Sequence, residues 1–251
     1  THFDFSTSLI TSVKKAFRAE FWQNGFYSSN PQQFKDDRAN AVAILFGLAD
    51  ESQYNSIVDN VLVPNHFSSP HFEWMVYNAM AIAGRYDDAL SRMKTRYDKQ
   101  VDNPVRSTLT EYMNGGGTEN HAWNAPSTVL SKYIAGIAPT SVAWNTYEIM
   151  PNMAHMKRIE QHVPSVQGDI DFVISRTLEN LTLELTSPVN TVALVGVPKK
   201  YFDISKISIN GKVVWQNGQA RNNVSGVKFV SETSKYINFE VDPGTWDIKA
   251  T

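Results

Sequence analysis

The sequence predicts a two-domain α+β protein, in which a helical half is followed by an antiparallel β-sandwich. The main observation is that the spacing of apolar residues changes once, near residue 138. Before this point they recur every three or four positions, as on the buried face of a helix, and after it they alternate, as on a half-buried strand. The 251-residue chain is 42% hydrophobic and 19% charged, so each half can bury a core. We therefore expect domains over residues 1–138 and 139–251.

Six helices are expected in the first domain. Apolar residues recur every four positions over residues 9–21, and residues 72–83 follow the i, i+3, i+4, i+7 pattern of an amphipathic helix. Ser69-Pro70 is typical of a helix start, and Gly84 is typical of a helix end. The helices are predicted at residues 3–23, 36–48, 52–61, 70–84, 86–101 and 125–136, with ends uncertain by about two to four residues.

The second domain carries the signals of short strands. Residues 170–174 and 181–185 place apolar side chains at alternate positions, which favours half-buried strands. Asn210-Gly211 lies between two such runs and predicts a hairpin with a type I′ turn, because both residues tolerate a positive φ. Residues 242–244, Asp-Pro-Gly, mark another turn. Six or more strands separated by turns are typical of an antiparallel sandwich.

The six helices predicted in the first domain, paired as hairpins, do not form a complete architecture by themselves. Antiparallel helix pairs arranged as inner and outer rings form the toroid of a class of carbohydrate enzymes. Half of such a ring would leave apolar edges uncovered. The predicted helical hairpins are compatible with part of such a toroid, and its uncovered edges predict possible self-association of the chain.

Composition excludes several function classes. The chain has 23 basic and 25 acidic residues, so its net charge of -2 gives no electrostatic reason to bind nucleic acid or a membrane surface. It has no cysteine, which removes disulfides, thiol catalysis and cysteine-ligated metals. Its six histidines show no recognised ligand spacing, and neither a serine-hydrolase elbow nor a dinucleotide motif is found. No cofactor or metal is expected.

The densest chemistry lies in residues 107–124, between two predicted helices. Glu111 and Glu119 are eight positions apart and suit general acid and base work on a polar neutral substrate. Glu111 is the sharper candidate because apolar residues flank it. Each glutamate is also compatible with a purely structural place, at a helix end or on the surface. Three consecutive glycines follow Glu111, without the lysine and hydroxyl residue of a phosphate-binding loop.

His121 and Trp123 follow in the same segment. An indole ring can stack on the C–H face of a sugar, while an imidazole can hydrogen-bond its hydroxyl groups. Trp123 would then be a sugar platform, and burial between helices is the alternative. His121 could equally be a hydrogen-bonded structural residue.

These motifs together resemble one enzyme family. The residues that carry the resemblance are Gly-Gly-Thr-Glu-Asn-His-Ala-Trp at 116–123, Ile-Ala-Gly-Ile-Ala-Pro at 134–139, Tyr-Glu-Ile-Met-Pro at 147–151, Asp-Arg-Ala-Asn-Ala at 37–41, and the segments 46–49, 78–80 and 84–90. In this order they are similar to the C-terminal half of the catalytic domain and the closing β-sandwich of α-L-rhamnosidases, glycoside hydrolase family 78. The resemblance covers nearly the whole chain and implies a partial (α/α)6 toroid of helical hairpins followed by an antiparallel β-sandwich.

The resemblance implies a reaction and the roles of several residues in it. The family releases terminal α-L-rhamnose with inversion, using a carboxylic acid and an opposite carboxylate about 6.5–9.5 Å apart. It implies that Glu111 is the general base, that His121, with Asn120 and Glu119 beside it, contacts sugar hydroxyls, and that Trp123 walls the pocket. The expected partner is a rhamnose-containing carbohydrate. The family's habit of degrading plant glycans implies a bacterial periplasmic or secreted protein.

One departure from the family limits the expected activity. Nothing in residues 1–36 resembles the segment that carries the general acid, so the chain is expected to lack an N-terminal half and to be inactive alone. Two other functions remain open. One is a toroid glycosidase acting on another sugar or a uronide, and the other is a non-catalytic carbohydrate-binding module.

Overall fold

The structure is a computed structural model and describes residues 2–29, 34–105, 107–117, 124–221 and 223–251. Internal contacts divide the chain into a helical unit, Thr1–Val129, and a strand-rich unit, Leu130–Thr251. The predicted α+β class, helices followed by sheets, is confirmed. Within the described ranges no helix combines the length and the apolar character needed to cross a bilayer.

The helical unit contains the six predicted helices. They are α1 (His2–Phe21), α2 (Asp37–Leu45), α3 (Glu51–Ile57), α4 (Pro70–Ile82), α5 (Tyr86–Val101) and α6 (Ala125–Val129). A π-helical turn, Val58–Leu62, extends α3, and another, Leu130–Ala135, follows α6. The helix predicted at 125–136 is thus a short α-helix continued by a wider turn.

Local chemistry explains several helix ends. The Asp36 side chain caps α2 by accepting a hydrogen bond of 2.9 Å from the Arg38 backbone N–H. After α4, Gly84 takes a φ of 74°, and the N–H groups of Gly84 and Arg85 bond the carbonyls of Ala81 and Met80. This is the Schellman arrangement, in which a left-handed residue satisfies the last carbonyls of a helix.

A small hairpin between α1 and α2 was not anticipated from the sequence. It comprises β1 (Trp22–Gln23) and β2 (Phe26–Tyr27). The buried Asn40 side chain of α2 holds β2, because its Nδ2 donates to the Tyr27 carbonyl at 2.9 Å and its Oδ1 accepts from the Tyr27 N–H at 2.8 Å. The hairpin is therefore fixed to the start of α2.

The strand-rich unit is a sandwich of two sheets. Its strands are β3 (Ile137–Pro139), β4 (Thr146–Ile149), β5 (Arg158–Ser165), β6 (Gly168–Arg176), β7 (Leu181–Ser187), β8 (Val192–Pro198), β9 (Lys206–Ile209), β10 (Lys212–Gln216), β11 (Gln219–Ala220), β12 (Val227–Glu232), β13 (Tyr236–Val241) and β14 (Gly244–Ala250). One sheet has the order β11-β10-β9-β14-β7-β6-β5 and the other β12-β13-β8-β4-β3. All neighbouring pairs are antiparallel except β4 and β8, which run parallel.

The inner faces of both sheets form one apolar core. Alternate residues of β6 and β7 are buried, as the sequence pattern predicts, and meet residues of β8 and β13 there. Asn210 and Gly211 have φ angles of 47° and 77° and form the predicted turn between β9 and β10. The predicted turn at 242–244 joins β13 to β14 and so carries the chain from one sheet to the other.

Candidate active site

The loop that carries Glu111, residues 107–117, is here called the site loop. Its anchor is Gln100, near the end of α5. The Gln100 Oε1 atom accepts hydrogen bonds from the Thr110 N–H at 2.9 Å and from the Thr110 hydroxyl at 3.0 Å. Both side chains are buried, so this contact fixes the loop backbone directly before Glu111.

After Glu111 the site loop turns back on itself. The Gly115 N–H donates to the Tyr112 carbonyl at 3.0 Å, and the Tyr112 N–H donates to the Gly116 carbonyl at 3.2 Å. Gly117, with a φ of 81°, lies against the half-buried Glu111, because a Cβ atom built on Gly117 would be 2.7 Å from Glu111 Oε2. The glycine thus leaves the space that the carboxylate occupies.

The remaining predicted site residues lie outside the described residues; they are Glu119, Asn120, His121 and Trp123. Their meeting with Glu111 in one pocket therefore stays a prediction.

Three loops of the helical unit meet at one end of its helices, here called the site end. The Tyr97 hydroxyl donates to the Pro70 carbonyl at 3.5 Å, which brings the end of α5 to the start of α4. The Ser68 hydroxyl donates to Asp37 Oδ2 at 3.0 Å, which brings the start of α2 to the same place. The site loop and the loops that enter α2 and α4 therefore share this end.

A buried group of charges lies behind the site end. It consists of Asp37 of α2, Glu73 of α4, and Arg92 and Arg96 of α5, and we call it the charge cluster. The Arg92 Nη2 atom is 2.6 Å from both Asp37 Oδ2 and Glu73 Oε1, while its Nε donates to Glu73 Oε2 at 3.0 Å. Four charges inside a helical core cost less when each is paired and hydrogen-bonded, as here.

The electrostatics of the charge cluster favour its ionised form. Burial alone would raise the pKa of Glu73, but the hydrogen bonds and charge of Arg92, with the charge of Arg96, lower this pKa below its usual range. Burial also opposes the charge on Arg92, yet Glu73 and Asp37 raise the Arg92 pKa. A Glu73 carboxylate held ionised by two guanidiniums is suited to a structural role, because it is not positioned to take up a proton readily.

The charge cluster also fixes the loop before α4, residues 63–69. The Arg92 Nη1 atom donates to the Leu62 and Asn65 carbonyls at 2.5 and 2.6 Å. The Arg96 guanidinium donates to the His66 carbonyl at 3.2 Å and to the Ser68 carbonyl. This loop is therefore held through its backbone, while its side chains at positions 66 and 67 are exposed.

Two exposed phenylalanines face each other at the site end. Phe67, from the loop before α4, and Phe34, from the loop before α2, have ring centroids 4.8 Å apart and planes tilted by 48°. Beside Phe34 is a cavity of about 370 Å³, which we call the aromatic cavity. Its lining residues are Phe17, Phe21, Tyr27, Ser28, Ser29, Phe34, Asp36 and Ala39. Sequence reasoning did not identify this cavity, because its walls come from separate elements.

Among the residues that the structure describes, no group of histidine and carboxylate side chains could hold a metal ion.

Comparison with known proteins points to one family. Residues 136–212 match the model of the bacterial alpha-L-rhamnosidase C-terminal domain. This match begins at Gly136 and covers much of the sandwich. No curated protein matches the sequence significantly.

Solved structures of α-L-rhamnosidases share the fold over nearly the whole chain. The enzyme from Dictyoglumus thermophilum superposes with a TM-score of 0.75 and 16% identity, covering 98% of this chain and 28% of that one. The Streptomyces avermitilis enzyme, complexed with L-rhamnose, has a TM-score of 0.70 and 15% identity, with coverage of 98% and 24%. The Aspergillus terreus enzyme has a TM-score of 0.64 and 14% identity, with coverage of 96% and 26%.

The resemblance to α-L-rhamnosidases noted in the sequence is thus confirmed, and the fold is that of their C-terminal part. The chain spans about a quarter of the length of the solved structures that it matches.

Proposed function

We propose that the chain is part of an inverting glycoside hydrolase that releases terminal α-L-rhamnose from glycosides or glycans. The observation that carries the proposal is the superposition of nearly the whole chain on α-L-rhamnosidases, one of them holding L-rhamnose. The half-buried Glu111, in a loop fixed by Gln100, supports the proposal because this reaction requires a carboxylate.

In this proposal Glu111 acts as the general base. Its carboxylate removes a proton from a water molecule as that water attacks the anomeric carbon, and an opposite carboxylic acid protonates the leaving oxygen. His121, Asn120 and Glu119 would hydrogen-bond the sugar hydroxyls, and Trp123 would wall the pocket. Rhamnose carries a methyl group in place of one hydroxymethyl group, so an apolar wall favours it over fully hydroxylated sugars.

The proposal assigns the general acid to a part of the polypeptide outside this chain. The chain alone would then have little or no activity, because a base without its acid cannot stabilise both ends of the reacting bond. We also propose, from the same resemblance, a bacterial periplasmic or secreted location.

The test uses the longer parent polypeptide. Glu111→Gln should lower kcat for an aryl α-L-rhamnoside by at least about a hundredfold, while Glu179→Gln, at an exposed turn of the other unit, should leave it unchanged. Proton NMR of the fresh product should show the β-anomer first. Full activity of Glu111→Gln would exclude the base assignment. Preference for another sugar in a substrate panel would favour a different glycosidase.

A further inference from the structure

Tyr112 follows the candidate base in the site loop, and its backbone is fixed there. Its carbonyl accepts hydrogen bonds from the Thr110 hydroxyl at 2.9 Å and from the Gly115 N–H at 3.0 Å, while its N–H donates to the Gly116 carbonyl at 3.2 Å. The residue is nevertheless 54% exposed. A backbone held through both its N–H and its carbonyl thus presents an aromatic ring to solvent.

This ring lies beside the Glu111 carboxylate. A Cβ atom built on Gly117 would be 2.7 Å from Glu111 Oε2 and 3.0 Å from Tyr112 Cδ2. The carboxylate oxygen and the ring are therefore both within 3.0 Å of one point. Because Glu111 is only half-buried, a ligand that reaches its carboxylate from solvent is also within reach of the exposed ring.

The geometry of the proposed reaction brings a sugar to this place. A general base lies about 2.6–3.2 Å from the water that it activates, and that water lies about 3–3.5 Å from the carbon that it attacks. The anomeric carbon is then about 6 Å from the carboxylate oxygen. A side chain packed beside this oxygen, as Tyr112 is, can contact the face of the sugar that the water attacks.

The stereochemistry of the sugar identifies the group on that face which suits an aromatic ring. In an α-L-rhamnoside the leaving oxygen and the methyl group project from opposite faces of the pyranose ring. Inverting attack brings the water to the face opposite the leaving oxygen, which is the face that bears the methyl group. The hydroxyl groups on this face need polar partners, whereas the methyl group gains from contact with apolar carbon.

We propose that the ring of Tyr112 packs against the methyl group of the bound rhamnosyl unit and makes the site selective for this deoxy sugar. The competing sugar is L-mannose, which differs from L-rhamnose only by a hydroxyl group on the methyl carbon. Burial of that hydroxyl group against the ring removes it from water, so binding of a mannoside is penalised. The inference rests on the proposed function, because it takes Glu111 as the general base.

The test compares two substrates of the longer parent polypeptide, para-nitrophenyl α-L-rhamnoside and para-nitrophenyl α-L-mannoside. The measured quantity is the selectivity, which is the ratio of their kcat/KM values. Tyr112→Ala should lower the selectivity about tenfold, because one group in an apolar pocket is worth about 10–200-fold in specificity. Tyr112→Phe keeps the ring and should retain the selectivity of the wild type. Circular dichroism verifies that each variant is folded.

The selectivity distinguishes a sugar contact from mere support of the site loop. A shift of Glu111 caused by the loss of the ring would lower kcat for both substrates and leave their ratio unchanged. The matched control is Phe46→Ala, which removes another exposed aromatic ring, 61% exposed, from the end of α2 and should leave the selectivity unchanged.

Two results would overturn the inference. One is an unchanged selectivity of Tyr112→Ala, whether or not its activity falls. The other is an equal loss of selectivity in Tyr112→Phe, which would assign the recognition to the phenolic hydroxyl group instead of the ring.

Sugar binding separates this inference from the proposed function. Calorimetric titration of the longer parent with free L-rhamnose and free L-mannose requires no hydrolysis, and Tyr112→Ala should lower the preference for L-rhamnose about tenfold. If the parent hydrolyses neither glycoside but shows this change in binding, the proposed function fails while the Tyr112 contact stands. If it hydrolyses the rhamnoside and Tyr112→Ala keeps full selectivity, the contact fails while the proposed function stands. Neither hydrolysis nor sugar binding by the parent would overturn both.

Discussion

Gly117 lies directly against the carboxylate of Glu111. A Cβ atom at position 117 would sit 2.7 Å from both Glu111 Cβ and Glu111 Oε2. The site loop therefore closes on its candidate base only because residue 117 has no side chain.

Replacing this glycine should move Glu111. Gly117→Ala forces contacts with Glu111 Cβ and Oε2 that only a shift of Glu111 or of the loop backbone can relieve, and its φ of 81° adds strain of about 1–2 kcal/mol. We expect kcat of the longer parent to fall about a hundredfold, because a misplacement of about 1 Å has effects of that size. Gly84→Ala is the matched control, since its φ is 74° and nothing lies within 4 Å of its Cβ position. Similar kcat values for both variants would contradict the interpretation.

The anchor of the site loop predicts a stability effect. Gln100→Leu keeps the size of the side chain but leaves the Thr110 N–H without its partner, and the Thr110 hydroxyl loses one of its contacts. Burying these groups without the Gln100 acceptor should lower the free energy of unfolding by about 1–3 kcal/mol. Urea denaturation measures this loss, and hydrogen exchange should increase in the site loop.

A double-mutant cycle is the control for this contact. Thr110→Val removes the hydroxyl. Gln100→Leu should therefore lower the free energy of unfolding less in the Thr110→Val background than in the wild type. Additive losses would show that the hydrogen bond from the Thr110 hydroxyl to Gln100 does not contribute to the stability of the loop.

The charge cluster predicts how stability depends on pH. Since folding lowers the pKa of Glu73, the unfolded chain binds the proton more readily. The resulting stabilisation is present above the unfolded pKa, about 4.3, and is lost as the pH falls through the lower folded value.

The substitution Glu73→Gln tests the predicted direction of this pH dependence. It removes one charge of a buried pair and should lower the free energy of unfolding by about 3–5 kcal/mol at pH 7. The difference in the free energy of unfolding between this variant and the wild type should become smaller as the pH is lowered below about 4. The exposed Glu51→Gln should change stability by less than about 0.5 kcal/mol at either pH. A difference between wild type and Glu73→Gln that stays constant between pH 7 and pH 3.5 would refute the linkage.

The helices and the hairpin of β9 and β10 could be predicted because their signals are local. The four-residue spacing of α1 and the Asn210-Gly211 turn depend on neighbouring residues alone. The parallel pairing of β4 with β8 could not be predicted in this way, because it joins residues 146–149 to the distant residues 192–195. The alternation of apolar residues shows which face of a strand is buried, but it does not show which other strand lies beside it.

The sequence contains a signal of the charge cluster, namely charged residues on the apolar faces of two helices. Arg92 lies on the same face of α5 as the buried Ala89 and Met93, and Glu73 lies one turn before the buried Tyr77 of α4. A charged residue on an apolar stripe implies a partner of opposite charge, since burial of an unpaired charge is prohibitive. The partner itself could not be named, because it comes from another helix.

The aromatic cavity was hidden from sequence reasoning for a related reason. Its walls come from α1, β2 and the loop before α2, and each aromatic residue alone is compatible with an ordinary core position. Only their three-dimensional arrangement distinguishes a cavity from a core.

A last prediction concerns His162, on the outer face of the seven-stranded sheet. Its Nδ1 lies 2.6 Å from Asp171 Oδ1 on the neighbouring strand, and this hydrogen bond, with the charges of Asp171 and Asp169, raises the His162 pKa. Asp171→Asn should therefore lower the pKa measured from the imidazole proton shifts in an NMR titration. Asp169→Asn removes a charge without a hydrogen bond to the ring and should lower it less. An equal effect of both variants would mean that long-range charge, rather than the cross-strand hydrogen bond, controls this histidine.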